Sequence, residues 1–340
     1  MSGRYETELL VTAAKLYHLQ GLKQEDIATR LKVSRAMVSL MLTEARRLGI
    51  IDIQVRDPQL EHTDFGNDLR QRFSLDRCIV VPTSSRDSDV LRELVSARTV
   101  NIFADLVEDG DTIGVSWGRT CHAFMSGFHV DRQPRSISVV PLVGTSNKNV
   151  SQYHLNEMVR LFASKLSAKP FFLHAPALAP TREDYLLYLQ SSDMRMIEDL
   201  WNEITLSVVA IGAPPLTEEF DGSDVSDSHL ANRKQVNDYL TLPVGNMSAR
   251  YFNIDGVFLD DEVNQRTIAI PPDSMRRIPK VVAMAAGVER ACSVIGALKT
   301  GVVNTLVIDE STARATLTIL NSMTESEDTV RSLYLAAAGS

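Results

Sequence analysis

The sequence predicts an α/β protein in two parts, an N-terminal winged helix-turn-helix followed by a larger α/β domain. Three observations carry this expectation. Residues 24–47, QEDIATRLKVSRAMVSLMLTEARR, read as two short helices joined by a tight turn. Beyond residue 77, short β-rich runs alternate with helical stretches, the pattern of a parallel sheet covered by helices on both faces. Charge also divides the chain. Residues 1–56 hold nine Lys/Arg and six Asp/Glu, about +3, while the whole chain carries −8, which leaves about −11 for the rest.

The N-terminal part is justified residue by residue. Leu9, Leu10, Ala13, Ala14, Leu16 and Tyr17 suggest a first helix that Gly21 ends. Ile27, Ala28 and Leu31 then recur at helical spacing, and small Ala28 lets two helices approach closely. Lys32 stands at the turn, where a left-handed backbone costs a non-glycine residue roughly 1–2 kcal/mol. Val33 fills the turn. Ser34 suits an N-cap, because its hydroxyl can accept a bond from a free backbone N–H. Val38, Met41 and Ala45 form the inner stripe of the second helix. That leaves Arg35, Ala36, Ser39, Leu40 and Thr43 facing outward, with Arg46 and Arg47 near the helix end. Such a helix can enter the DNA major groove, with Gln24 placed to bond a phosphate. Gly49 breaks it, and Ile50, Ile51, Ile53 and Val55 follow as a short strand or wing. A basic head on an acidic body is the footprint expected when only the head touches DNA. The competing reading is a three-helix bundle docked on an enzyme.

Asp57-Pro58 marks the boundary, giving domains 1–57 and 58–340. A polar helix over about 59–73 links them. The expected strands are Cys78–Val81, Thr112–Ser116, Ser138–Leu142, Phe171–Leu173, Leu206–Ile211, Lys280–Ala285 and Thr305–Ile308. Helical patterns fill 87–107, 119–128, 151–167, 192–203, 287–299 and 310–320. Asp309-Glu310 reads as a helix cap, and 324–328, TESED, as an acidic helix start or loose tail.

Several classes are excluded. Cys78, Cys121 and Cys292 lie far apart without metal-ligand spacing, so neither a disulfide framework nor a bound metal or cofactor is expected. No apolar run approaches the roughly 20 residues that span a bilayer, and MSGRYETELL lacks a signal-peptide core, so a cytoplasmic protein is expected.

Ligands of such folds bind at the carboxyl ends of the strands. Four loops there carry glycine or small polar residues. Gly114-Val115-Ser116-Trp117-Gly118-Arg119-Thr120 runs from strand into helix, and Gly144-Thr145-Ser146-Asn147-Lys148-Asn149 follows VVPLV. Gly212-Ala213-Pro214 follows VVAI, and Ala286-Gly287-Val288-Glu289-Arg290 follows VVAMA. Glycine lets a ligand approach the backbone, and hydroxyls and amides at a helix N-terminus cradle phosphates. With Arg119, Lys148 and Arg290 near these loops, the set points to a phosphorylated or polyhydroxy ligand. Trp117 could stack on a sugar or fill the core. Lys148 could contact a phosphate or, if desolvated, form a Schiff base with an open-chain aldose.

The segments GLKQEDIATRLKVSRAMVS, GVSWGRT, PLVGTSN, ARYFNIDG and IPKVVAMAAGVERACSVIGALKTGVVNTLVIDESTA together resemble the SorC/DeoR-type sugar-responsive transcriptional regulators, in that family's order and over nearly the whole chain. The resemblance implies an effector domain similar to sugar-phosphate isomerases and a homo-oligomer, commonly a tetramer. It also implies a sugar, polyol or sugar-phosphate effector that alters affinity for operator DNA. By the same resemblance Gly144, Thr145, Ser146 and Asn147 match a phosphate loop, Arg250 a basic residue facing the ligand, and Asn264 and Arg266 an element near the pocket. Arg290 stands where the family usually has Lys, and Gly245-Asn246 where it has Gly-Asp, which makes the pocket more cationic and favours an anionic ligand. Leu40 replaces a common Arg in the recognition helix. The alternative is a sugar-phosphate isomerase or deaminase with an added N-terminal domain, although no acid–base set stands near the loops.

Overall fold

A computed structural model describes residues 7–48, 50–51, 63–130, 133–145, 154–213 and 243–338, without the side chains of Arg47 and of residues beyond 324. The chain forms two compact units, Met1–Pro58 and Gln59–Ser340.

In the first unit, α1 (Thr7–Ala14) continues as a π-helical turn over Lys15–Leu19, and Gly21 then turns the chain at φ +65°. Next come α2 (Gln24–Leu31) and α3 (Arg35–Arg47). Lys32 takes the left-handed conformation between them (φ +54°, ψ +43°), the cost foreseen for a non-glycine turn. The Met37 amide donates to Ser34 Oγ at 3.1 Å, which caps α3. Ile27, Ala28, Val38 and Leu42 bury together with Leu16, while Met41 and Ala45 bury against Leu10 and Ala13 of α1. The expected wing strand is not formed at Ile50 and Ile51, because both amides fold back onto the Ala45 carbonyl. Ile53 and Val55 lie outside the described residues.

The second unit is built on a seven-stranded, wholly parallel sheet. Its strands are β1 (Arg77–Val81), β2 (Thr112–Val115), β3 (Ser138–Pro141), β4 (Lys169–Pro170), β5 (Leu206–Ala210), β8 (Lys280–Ala285) and β9 (Thr305–Asp309). Their order across the sheet is β1-β9-β8-β5-β2-β3-β4. A separate antiparallel hairpin pairs β6 (Gly245–Met247) with β7 (Arg250–Phe252). The helices are α4 (Asp64–Phe73), α5 (Ser88–Leu106), α6 (Arg119–Gly127), α7 (Leu155–Leu166), α8 (Arg182–Leu189) and α9 (Ser192–Asn202). They continue as α10 (Glu262–Arg266), α11 (Pro272–Arg277), α12 (Ala291–Lys299) and α13 (Glu310–Ala338).

Strand side chains alternate between two cores. Val281, Ala283 and Ala285 of β8 join one core with Met194, Ile197 and Trp201 of α9, Val294 of α12 and Leu317 of α13. Val282 and Met284 join the other, with Val95 and Phe103 of α5, Phe124 of α6 and Phe162 of α7. Phe103, Phe124, Phe128 and Phe162 meet there largely edge to face, with ring centroids 4.8–6.1 Å apart. Trp201 Nε1 donates to the Pro141 carbonyl at 2.8 Å and pins α9 to the end of β3.

Four elements depart from expectation. The fourth strand is Lys169–Pro170, not Phe171–Leu173. Asn156 of α7 holds the Leu173 backbone on both sides, accepting from its N–H and donating to its C=O, each at 3.2 Å, and so draws the chain away from β3. Gly287, at φ +105°, delays the expected helix over 287–299: a 3-10 turn over Val288–Arg290 precedes α12. The helix expected over 310–320 runs on to Ala338, so 324–328 is neither a tail nor a helix start. The linker helix begins at Asp64, capped by Thr63, and 59–62 lie outside the described residues.

Candidate functional site

On α3, Arg35, Ala36, Ser39, Leu40, Thr43 and Arg46 are exposed, as is the capping Ser34. Leu40 is 53% exposed, an uncovered apolar group on an otherwise polar face. Gln24 opens α2 and is half-buried. Lys23, Arg30 and Lys32 are also exposed, and they add positive charge that a reading of α3 alone misses. The side chain of Arg47 lies outside the description.

The second site lies at the carboxyl edge of the parallel sheet. The chain leaves β2 toward β3 but leaves β5 toward β8, although β2 and β5 are neighbours. The switch point therefore lies between their carboxyl ends. Ser116 and Trp117 follow β2 and are buried, and Gly212 follows β5. Gly118, Arg119 and Thr120 lead into α6 and are half-buried. Arg119 Nη1 lies 3.8 Å from Asp89 Oδ1. A hydrogen bond from Arg92, then its charge and that of Arg119, hold the Asp89 carboxyl below the usual carboxylate range.

The loop after β3 is clamped on two sides. The Gly144 amide donates to the Ile268 carbonyl at 2.8 Å, and the Thr145 amide to that of Ala175, also at 2.8 Å. A Cβ on Gly144 would meet the Pro176 carbonyl and stand 2.7 Å from that of Ala175, so only glycine fits. Ser146, Asn147 and Lys148 lie outside the described residues.

The β6–β7 hairpin, which sequence patterning did not reveal, joins these loops. Asn246 of β6 bridges Gly212, and the Gly212 amide donates to its carbonyl at 2.9 Å. Ser293 Oγ of α12 donates to the Val244 carbonyl at 2.6 Å. Arg250 of β7 is 9% exposed and turns its guanidinium onto three carbonyls, those of Asn264 (2.8 Å), Ala269 (2.6 Å) and Ile270 (3.3 Å). Asn264 Oδ1 accepts from the Tyr251 amide at 3.1 Å. The segment so gripped runs beside the β3 loop, with Ala269 bridging Val143 and Thr267 bridging Leu178. Gly144, Thr145, Arg250, Asn264 and Arg266 thus belong to one small ladder.

Arg266 is buried, 5% exposed. Its Nη1 donates to the Ala179 carbonyl at 3.0 Å, and its Nη2 lies 3.4 Å from Glu262 Oε1, on a side chain that is 78% exposed. Among the described residues its Nε and Nη2 make no hydrogen bond. Nη1 also donates to the Pro180 carbonyl at 2.5 Å, so the buried charge is held by two carbonyls and one exposed carboxylate, with two N–H positions left over.

Gly287 and Arg290 sit after β8. The Gly287 amide donates to Asp309 Oδ2 at 2.9 Å, tying this loop to the end of β9. Arg290 Nη1 donates to the Ala286 carbonyl at 2.7 Å and pairs with Glu289. Asp309 is fully buried and also accepts from Ser311, Thr312 Oγ1 and the Thr312 amide. Burial pushes its carboxyl up, but these four donors outweigh it and hold it below the usual range. Among the described residues no group of three or more His, Cys, Asp or Glu could hold a metal ion. No helix there is long and apolar enough to cross a membrane.

The family model described as "Putative sugar-binding domain" matches residues 57–318. The Sorbitol operon regulator of Klebsiella pneumoniae is 28% identical over 326 residues, 93% of this chain and 100% of that protein. The Deoxyribonucleoside regulator of Bacillus subtilis is 26% identical, over 92% of this chain and 98% of that protein. The crystal structure of the full-length Klebsiella regulator SorC superposes with a TM-score of 0.71 at 26% identity, covering 93% of this chain and all of that one. With its strand-edge loops, its match over most of the second unit and its relatives of SorC/DeoR type, the chain belongs to the sugar-binding domain family.

Proposed function

We propose that the protein is a DNA-binding transcriptional regulator of a carbohydrate or polyol catabolic operon, with operator affinity controlled by a sugar, polyol or sugar-phosphate effector. One observation carries this reading: a capped helix-turn-helix unit and a sugar-binding domain stand together in one chain that spans the whole Klebsiella sorbitol operon regulator. The Klebsiella and Bacillus relatives both bear the names of regulators.

In this reading α3 enters the major groove, with Arg35, Ala36, Ser39, Leu40 and Thr43 toward bases and Gln24, Ser34 and Arg46 toward phosphates, and Arg47 joins them by its place in the sequence. The effector lies over the β2–β5 switch point. Ser116, Trp117, Gly118, Arg119 and Thr120 approach it from one side, and Gly144 and Thr145 from another; Ser146, Asn147 and Lys148 are assigned to the effector by family likeness alone. Gly212, Gly287 and Arg290 complete the rim. Arg266 supplies buried positive charge for an anionic group, while Arg250 and Asn264 position the ladder that carries it. The protein works as a homo-oligomer, a tetramer by family likeness, in the cytoplasm, so that paired helices meet spaced half-sites.

The test is fluorescence anisotropy of the full chain with DNA from upstream of its neighbouring genes, titrated with sugars, polyols and their phosphates. Tight binding that a particular sugar shifts is expected. Binding to no DNA fragment above the nonspecific level overturns the reading.

A further inference from the structure

The turn of the β6–β7 hairpin holds two adjacent non-glycine residues in the left-handed region, Ser248 at φ +50° and Ala249 at φ +60°. Neither has the side chain that such a turn favours, since Asn and Gly are the usual occupants. Strain of this kind persists where the surroundings enforce it, and it is found at ligand sites. The surroundings here are specific. Asn246 bridges Gly212 in the antiparallel sense, so β6 runs back toward the sheet and its turn arrives at the carboxyl edge of β5. Ala249 is buried in one core with Trp117, Val143 and Ala286, which follow β2, β3 and β8. The turn therefore sits among the four loops of the candidate site.

Ser248 is 2% exposed, and among the described residues its Oγ has no hydrogen-bond partner. Buried hydroxyls are almost always paired, so an unpaired one calls for a specific explanation. Its neighbours do not supply a partner: Asn246 is engaged with Gly212 and Ala213, and Arg250 with its three carbonyls.

We propose that Ser248 is a ligand-contacting residue of the effector site, where its hydroxyl exchanges a hydrogen bond with an alcohol group of a sugar or polyol. This rests on the sugar-sensing reading above. A serine hydroxyl both donates and accepts, which matches an alcohol group that does the same, whereas an ionised phosphate oxygen would use only its donor half. A site built around such a bond rejects analogues that lack the partner group.

The experiment uses the full-length chain and its Ser248→Ala variant, which keeps the backbone geometry and removes only the hydroxyl. Sorbitol, erythritol and sorbitol 6-phosphate serve as probes in calorimetric titrations, together with deoxy analogues of whichever binds. The variant is expected to melt no lower than the wild type without ligand, and to bind the probe at least about tenfold more weakly. One deoxy analogue, lacking the contacted hydroxyl, is expected to bind both proteins alike. Undiminished binding by Ser248→Ala overturns this inference alone, and means that the hydroxyl holds only an ordered water. A melting temperature lowered by several degrees in the free variant also overturns it, because the hydroxyl would then serve the fold. Failure of every probe to bind the wild type overturns the sugar-sensing reading and this inference with it.

Discussion

Arg250 Nη1 donates a 2.8 Å hydrogen bond to the main-chain carbonyl of Asn264, while the adjacent Tyr251 amide donates to the Asn264 side chain at 3.1 Å. Two neighbouring residues of the hairpin thereby hold the backbone and the side chain of Asn264 in α10. Removing Arg250 takes a donor from each of three carbonyls, of which that of Asn264 keeps the Thr267 amide at 3.3 Å. Arg250→Ala is expected to destabilise the second unit by about 3 kcal/mol or more. Arg250→Lys should recover only part of this, since one ammonium cannot reproduce the guanidinium fork. Urea denaturation of the three proteins decides it, and a loss below about 1 kcal/mol for the alanine variant contradicts the role.

Asp309 makes the fold sensitive to acid. Its folded pKa is depressed by donors from Ser311, Thr312 and Gly287 that outweigh burial. Its stabilisation is therefore fully present above the ordinary Asp value of about 3.9 and is lost as pH falls through the lower folded value. Asp309→Asn should cost about 1–3 kcal/mol at pH 7 and flatten the decline in stability below pH 4. Parallel acid limbs in wild type and variant count against the assignment.

Exposed Arg35 should matter for DNA and little for the fold. Arg35→Ala is expected to weaken operator binding by about 1–3 kcal/mol if it reads a base. If it contacts a phosphate instead, the salt slope should fall by about one. Unchanged affinity at every salt concentration would place the recognition surface elsewhere.

Lys32 carries the turn of the helix-turn-helix at φ +54°. Lys32→Gly removes a strain of roughly 1–2 kcal/mol, partly offset by the greater freedom of glycine in the unfolded chain. A rise of a few degrees in the melting temperature of the first unit is expected, and a fall would show that the Lys32 side chain contributes more than its backbone costs.

Burial pushes the Cys78 thiol up to about 12, and Cys121 is also buried, whereas Cys292 is exposed at the start of α12. A thiol reagent at pH 8 should therefore modify Cys292 quickly and the other two only on unfolding. Mass spectrometry of the labelled native protein checks this, and rapid labelling of Cys78 contradicts it.

Much of the fold was legible because buried parallel strands leave short apolar runs, and these place six of seven strands to within a residue or so. The misplaced strand at Phe171–Leu173 depends on Asn156, a tertiary contact that no local pattern announces. The length of α13 was readable, since neither Gly nor Pro occurs from 310 to 338; acidic TESED only looked like solvent-facing tail. The hairpin was not readable. Its strands are three residues long, and its turn is Ser248-Ala249, which lacks the usual signal. The loops of the candidate site could be located from Gly and Ser/Thr after each strand. What Arg250 and Arg266 bind could not, because the letter Arg does not distinguish a guanidinium spent on three carbonyls from one that, among the described residues, keeps Nε and Nη2 without a hydrogen bond.

Gly144 has a consequence for how such a protein diversifies. The Ala175 and Pro176 carbonyls close over the space that any larger side chain would need. A descendant with a different ligand cannot vary this position without prying two segments apart. Change must fall on Thr145 and the residues after it, or on the hairpin opposite, so the loop has one frozen hinge post and several interchangeable fittings.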